Sequence, residues 1–329
     1  MASEQFEHQS VLLSEVLEML KPEGDKIYID ATAGLGGHLG EIASRVGKNA
    51  LVIGIDQDQA ALNLCRKNLE ARGFDFKHPR IELVQGNFED IQDICAHLNV
   101  SSVDGGILAD IGVSSMQLDD PSRGFSFLAD GPLDMRMDSN RKTSAADLLN
   151  TLSEKDIADI LYRYGEERLS RQIAKKIVAS RPIQTTSQLS SIVSSVIGRV
   201  QGYRRGADKS HPATRTFQAL RIAVNDELQV LENFLSASIR ILADSGRLVV
   251  ISFHSLEDRL VKQIFKSFES ECVCPPKLPI CTCSKQRELE ILTRKPLQPS
   301  EKETLANPRS RSAKLRAGKR VYPVSGGRG

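Results

Sequence analysis

The 329-residue chain has no apolar run approaching the roughly 20 residues that a membrane-spanning helix needs, and its polar start, Met1 to Ser10, lacks the basic and apolar regions of a signal peptide. A cytoplasmic location is the expectation. Also missing is the glycine at position 39 that would complete a dinucleotide-binding Gly-x-Gly-x-x-Gly turn, since Leu39 stands there. No Gly-Lys-Ser/Thr phosphate loop follows it. These absences exclude a pyrophosphate cradle and the loop of the nucleotide triphosphatases. Net charge is small, at +2, but it is unevenly spread. Residues 301–329 hold eight basic side chains (Lys302, Arg309, Arg311, Lys314, Arg316, Lys319, Arg320, Arg328) against Glu301 and Glu303, so this tail is +6 and the remainder −4. A concentrated basic segment suits phosphate backbones; a solvated tail is the alternative.

The chain does contain an apolar run, Ile27 to Ile29, that ends in Asp30 and leads into a turn with Gly34, Gly36 and Gly37. Glycines permit left-handed backbone angles and let a ligand approach main-chain N–H groups. A second apolar run, Leu51 to Ile55, ends in Asp56, 22 residues after Gly34, a spacing that suits an acid accepting both hydroxyls of a ribose. An adenosine-containing ligand is predicted. A turn that only packs a helix on a strand is the competing reading.

Periodicity predicts a helix over Val11 to Leu20 capped by Ser10, and further strands at Ile81 to Val84, Val103 to Ile111 and Arg247 to Ser252. The early strands alternate with helix-length segments in a parallel βαβ rhythm. About 135 residues separate the fourth and fifth strands, far more than a crossover needs, so something is inserted. The insert reads as helical, with Thr143-Ser144, Ser153 to Asp156 and Thr186-Ser187 as helix starts, followed by a basic loop holding Arg204, Arg205 and Lys209. One long helix from about Ala213 to Leu242 is expected to return to the sheet, with Phe217, Leu220, Val224, Leu228, Leu231, Leu235 and Leu242 as core. The predicted parts are 1–113, an inserted lobe over 114–212, and 213–329.

Cys65 and Cys95 stand alone in helical segments, whereas Cys272, Cys274, Cys281 and Cys283 form two Cys-x-Cys pairs joined through Pro275, Pro276 and Pro279. Four thiolates so spaced can surround zinc; free or redox-sensitive thiols are the alternative.

The fourth strand ends at Asp110-Ile-Gly-Val-Ser-Ser, at the end of the sheet where ligands bind. Amino-group methyltransferases place Asp, Asn or Ser followed by Pro-Pro-aromatic here; this chain keeps only the acid. Eight motifs in order carry a more specific likeness: His8 to Leu13, Asp30 to His38, Asp110 to Asp120, Arg123 to Phe127, Gly131 to Asp138, Tyr164 to Arg168, His211 to Gln218 and Ser252 to Arg259. Together they resemble the family of ribosomal RNA small subunit methyltransferase H, across nearly the whole chain.

The resemblance implies an α/β fold, a Rossmann-like class I S-adenosylmethionine-dependent methyltransferase with an inserted all-helical lobe. It implies N4-methylation of one cytosine in the decoding region of bacterial 16S rRNA, within the small ribosomal subunit. Carried over, the cofactor contacts fall on Gly36, Gly37, His38, Asp56, Phe88, Asp110 and Gln117, with Met116 where the family often has proline. Asp56 would accept the ribose hydroxyls, Phe88 cover the adenine, and Asp110 with Gln117 address the methionine end or the target amine.

Asp110 is the candidate amine-orienting acceptor, because transfer from a sulfonium needs geometry more than a strong base. His38 and His254 are read as loop histidines that donate hydrogen bonds. Ring-carbon methylation would need a cysteine nucleophile, and neither Cys65 nor Cys95 is expected at a strand end. Arg136, Arg141, Arg204, Arg205, Lys209 and Arg309 to Lys314 are candidates to hold RNA phosphates. A cofactor-binding ribosome-assembly factor without turnover, or an N-methyltransferase with another substrate, are the competing functions.

Overall fold

The computed structural model describes residues 10–113, 115–138, 141–198, 211–272, 274, 283 and 285–322. The first stretch alternates helix and strand: α1 (Leu13–Leu20), β1 (Ile27–Asp30), α2 (Gly37–Ala43), β2 (Leu51–Asp56), α3 (Gln59–Ala71), β3 (Arg80–Gln85), α4 (Ile91–His97) and β4 (Gly106–Asp110). Helices then follow one another: α5 (Ser115–Asp119), α6 (Ala145–Thr151), α7 (Glu154–Gly165), α8 (Ser170–Ala179), α9 (Thr186–Ile197), α10 (Thr214–Asn225) and α11 (Glu227–Ile241). The chain ends with β5 (Arg247–Ser252), α12 (Ser255–Glu269), β6 (Leu289–Ile291), α13 (Glu301–Ala306) and β7 (Lys314–Arg320). It forms two compact units, Met1–Gly112 with Val230–Gly329, and Val113–Gln229.

The first unit is built on a seven-stranded sheet of order β3-β2-β1-β4-β5-β7-β6. Strands β1 to β5 are parallel, with Ile29 opposite Ile53 on one side and Ile107 on the other. The inner strands β1, β2, β4 and β5 are largely apolar because both faces are covered, whereas β3, at the sheet edge, carries Arg80, Glu82 and Gln85. Alternate residues serve opposite faces: Ile29, Ile107 and Val250 pack with Phe234, Leu235 and Phe265, whereas Tyr28, Leu108 and Val249 pack with Val16, Leu39 and Leu69. All of these side chains are buried.

The sequence reading missed β6 and β7, and the basic segment Lys314–Arg320 is a strand of the sheet. β7 runs antiparallel to β5, with Ala317 opposite Val249 and Arg316 opposite Val250, and β6 pairs on its other side. Its Leu315 and Ala317 are fully buried. Its basic residues are neutralised within this unit. Arg316 Nε donates to Asp258 Oδ1 at 2.6 Å, Lys314 lies 3.4 Å from Asp258, Lys319 pairs with Glu290 and Arg320 with Glu288. The alternation Lys-Leu-Arg-Ala-Gly-Lys-Arg was the available signal, masked by its charge.

The helical unit has its own core, in which Leu149, Leu161, Ile173 and Leu189 meet Phe217, Leu220 and Val224. Ser144 and Ser153 cap α6 and α7 as expected, while Thr185, one residue before the predicted start, caps α9 through a box with Gln188. The expected single helix over 213–242 is broken at Asp226, whose φ is 53°, a left-handed angle that ends α10. Its apolar residues therefore divide: Phe217, Leu220 and Val224 belong to the helical core, and Leu231, Leu235 and Leu242 to the sheet core. The lobe extends past the predicted boundary at 212 for that reason. At the other end of the chain α1 starts two residues late, because Leu12 takes a left-handed angle and Ser10 makes no cap.

Two quoted motifs turn out to be scaffold of the helical unit. Arg123 donates to the carbonyls of Arg136 and Met137, and Asn225 bonds Met137 N and Met135 O, so the segment Gly131 to Asp138 is clamped from both sides. Phe127 stacks on His211 with ring centroids 4.5 Å apart, joining the first of these motifs to a third, His211 to Gln218.

Candidate active site

Three parallel strands end in acids: β1 in Asp30, β2 in Asp56 and β4 in Asp110. The strand order reverses at β1, which lies between β2 and β4, and beyond the carboxyl ends at such a switch point is where open α/β sheets bind ligands. Thr32 ties the two inner strand ends together. Its backbone N–H donates to Asp30 Oδ1 at 3.2 Å, and its hydroxyl accepts from Asp110 N at 2.7 Å.

Asp30 is 1 % exposed, and burial, reinforced by the charge of Asp56, pushes its carboxyl up to about 7. Burial does the same to Asp110, with the charges of Asp30 and Glu257 adding, and raises it to about 8. One oxygen of Asp110, Oδ2, lies 3.8 Å from Nδ1 of His38; the other, Oδ1, is buried without a hydrogen-bond partner among the described residues. The Asp110 side chain as a whole keeps 22 % of its surface exposed. Acids crowded this way favour a cationic ligand, which would offset their mutual repulsion.

The glycine turn sits beside them. Gly34 and Gly36 have φ of 51° and 85°, angles that glycine adopts without strain. Gly36 also has no room for a side chain, because a Cβ there would lie 2.7 Å from Cys65 Sγ. Gly37 has an ordinary φ and is small for another reason: a Cβ would lie 2.1 Å from Ser10 Oγ. Asp56 holds the turn from the far side, since Oδ2 accepts from Gly34 N and Oδ1 from Asp58 N, both at 2.9 Å. Each of its oxygens keeps a second lone pair for a ligand hydroxyl.

His38 is not a loop histidine, whereas His254 does lie in the short connection between β5 and α12. His38 is buried in α2, where Nε2 donates to the Val11 carbonyl at 3.0 Å and leaves Nδ1 facing Asp110. His254 caps α12 by accepting at Nδ1 from Glu257 N at 3.3 Å, with Nε2 2.9 Å from Glu257 Oε1. Its Nδ1 accepts because a helix start offers unpaired N–H groups, and its Nε2 carries the ring proton toward the Glu257 carboxylate.

Phe88 starts a 3₁₀ turn just beyond β3 and is partly buried, edge-on to Phe234 with centroids 5.0 Å apart. Gln117 lies in α5 of the helical unit. Cys65 lies in α3 and Cys95 in α4, both buried, and burial holds their thiols up to about 12 and about 11. Neither forms the thiolate that attack on a pyrimidine ring carbon would require. Thr32, Ser10 and Glu257 were missed as site residues. Each is visible inside a quoted motif or beside one, but its role depends on a contact across the fold.

Known proteins resemble this chain over nearly its whole length. The model of the MraW methylase family matches residues 5–321. The chain belongs to the MraW methylase family. Curated relatives named ribosomal RNA small subunit methyltransferase H include that of Syntrophotalea carbinolica, 47 % identical over 326 residues, covering 98 % of this chain and 100 % of that one. The protein of Halothermothrix orenii is 46 % identical over 319 residues, 96 % of this chain and 99 % of its own. That of Clostridioides difficile is 44 % identical over 323 residues, with 96 % and 100 % covered.

The first unit of this methylase is accordingly a Rossmann-like class I methyltransferase fold, and its cofactor is S-adenosylmethionine. The residues present fit it. The turn is kept clear of side chains at Gly34, Gly36 and Gly37, Asp56 retains acceptor capacity, and the Asp110 oxygen without a partner among the described residues suits a cationic group. When bound, the cofactor supplies a methyl group already activated on a positive sulfur.

Proposed function

We propose that this methylase transfers the methyl group of S-adenosylmethionine to the exocyclic N4 of a specific cytosine in the decoding region of 16S rRNA, in the small ribosomal subunit and in the cytoplasm. The observation that carries the reading is Asp110: a strand-end carboxyl whose Oδ1 is buried without a hydrogen-bond partner among the described residues, in a chain of this family. The names of the relatives support ribosomal RNA of the small subunit as the substrate class, and the motif resemblance supports the base and atom.

In this reading the protein works by positioning. A cytosine N4 lone pair is delocalised into the ring, and an acceptor that holds its hydrogens aims the lone pair at the methyl group. Ionised Asp110 accepts only, so it holds N–H groups and cannot donate. His38, fixed through Val11, faces Asp110 Oδ2 at 3.8 Å, and Oδ1 is left for the amine or the methionine end. Gly36, Gly37, Asp56, Phe88 and Gln117 bind the cofactor in the same proposal.

Phosphate binding is narrowed by the geometry. Arg136 is held by Asp134 and the Arg141 carbonyl, and Arg141 by the Val224 carbonyl. Arg309 and Arg311 are exposed. Arg204, Arg205 and Lys209 lie outside the described residues. The exposed pair and the basic loop are the proposed RNA contacts.

The test is incubation with labelled S-adenosylmethionine and small subunits lacking the modification, followed by mapping of the labelled nucleotide. Label at N4 of one decoding-region cytosine is expected. Label on protein, on another base or on nothing would overturn the reading.

A further inference from the structure

The segment following α12 gathers sulfur. Sγ atoms of Cys272, Cys274 and Cys283 all lie within 4.8 Å of one another, and Cys283 Sγ is 3.7 Å from Cys272 Sγ. Bonded sulfurs would be about 2.05 Å apart, so this is not a disulfide. Sulfurs placed tetrahedrally about 2.3 Å from a zinc ion are about 3.8 Å from each other, which the observed separation matches. A second observation is independent of that distance. The backbone N–H of Cys274 donates to Cys272 Sγ at 3.3 Å, and N–H donors to ligand sulfur steady the negative charge that zinc thiolates share.

The surroundings bring both ends of this loop to one place. At the end of α12, Glu269 accepts from Ile291 N at 3.2 Å and pairs with Arg294 at 3.0 Å, while Glu288 N donates to the Phe268 carbonyl at 2.8 Å. The loop between therefore starts and finishes side by side, and a metal bound within it would close it at little cost in strain. α12 spans about 22 Å at its 15 residues, and its cap His254 follows β5, so the sulfur cluster lies a helix-length away from the strand ends.

We propose that Cys272, Cys274 and Cys283 bind a zinc ion that pins the loop between α12 and β6, structural in role and separate from methyl transfer. Binding takes the thiolate form, so each ligand thiol gives up its proton to solvent as the ion enters. Cys281 completes the second Cys-x-Cys pair in the sequence and lies outside the described residues.

The experiment uses the full chain purified under reducing conditions without a metal-affinity column. Elemental mass spectrometry should find about one zinc per chain. Exchange for cobalt should give the intense sulfur-to-metal absorption of a thiolate site. The double variant Cys272→Ser/Cys274→Ser should lose the metal while binding S-adenosylmethionine within about twofold of the parent, since the cysteines are not in the cofactor site. Fully reduced parent protein without zinc and without cobalt–thiolate absorption would overturn the proposal whether or not the variant folds. Zinc retained in the double variant would overturn it equally.

Discussion

Asp110 Oδ2 faces His38 Nδ1 at 3.8 Å, and the same imidazole is anchored at Nε2 by the Val11 carbonyl at 3.0 Å. The carboxyl that ends β4 thereby faces a side chain from α2 that is itself fixed by a residue preceding α1.

This predicts the effect of Asp110→Asn. The amide keeps the shape but replaces one acceptor oxygen by a donor, so turnover at saturating cofactor should fall by about 10²-fold. Comparison of single-turnover rates with cofactor affinity separates the two roles. Unchanged turnover with weakened cofactor binding would make Asp110 a binding residue only.

The raised carboxyls predict a pH dependence with a definite sign. Asp30 and Asp110 titrate at about 7 and about 8 when folded against 3.8 as ordinary carboxyls, so between those values the folded protein holds more protons than the unfolded chain. Stability of the cofactor-free protein should therefore fall as pH rises from about 4 to about 8 and level off above. A cationic ligand favours the ionised carboxylates, so binding should release protons and strengthen as pH rises from about 6 to about 8. Calorimetric titration in buffers of different ionisation enthalpy reads this directly, and heats independent of buffer would contradict it.

A third prediction concerns Gly37. Gly37→Ala places a methyl group against Ser10 Oγ, where a Cβ lies 2.1 Å away, whereas Ser10 Cβ is 3.5 Å away. The single variant should lose roughly 1–3 kcal/mol and weaken cofactor binding, and adding Ser10→Ala should restore most of both. Denaturant melts of the two single variants and the double give the coupling; strict additivity would mean the contact is not the cause.

Arg316→Met tests the strand that the basic tail becomes. Arg316 is 8 % exposed and Asp258 15 %, and the pair's 2.6 Å bond together with Lys314 keeps the Asp258 carboxyl low although burial pushes it up. Removing the guanidinium leaves a half-buried carboxylate with Lys314 as its remaining partner and should cost about 1–3 kcal/mol. Arg316 lowers the Asp258 carboxyl more than Lys314 does, so the loss should be largest above the ordinary carboxylate range and shrink as pH falls through it. Arg309→Ala with Arg311→Ala, both exposed, should leave the melting midpoint nearly unchanged and weaken RNA binding. The opposite pattern would assign the RNA contact to β7.

The sequence alone determined what is local. Continuous apolar runs announced β1, β2 and β5, left-handed glycines and a 22-residue interval announced the turn and Asp56, and side-chain caps at Ser144 and Ser153 announced α6 and α7. These signals are legible because each depends on neighbours within a few residues or on a fixed spacing. What only the tertiary structure decided depends on partners far along the chain. A charged segment becomes the strand β7 because β5 offers an open edge and Asp258 and Glu288 offer counter-charges. A helix breaks at Asp226 because its two halves serve different cores. Gly37 is small because Ser10 passes over it, and Asp30 and Asp110 acquire raised pKa values because strand order sets β1 beside β4, burying two carboxyls that the sequence holds 80 residues apart.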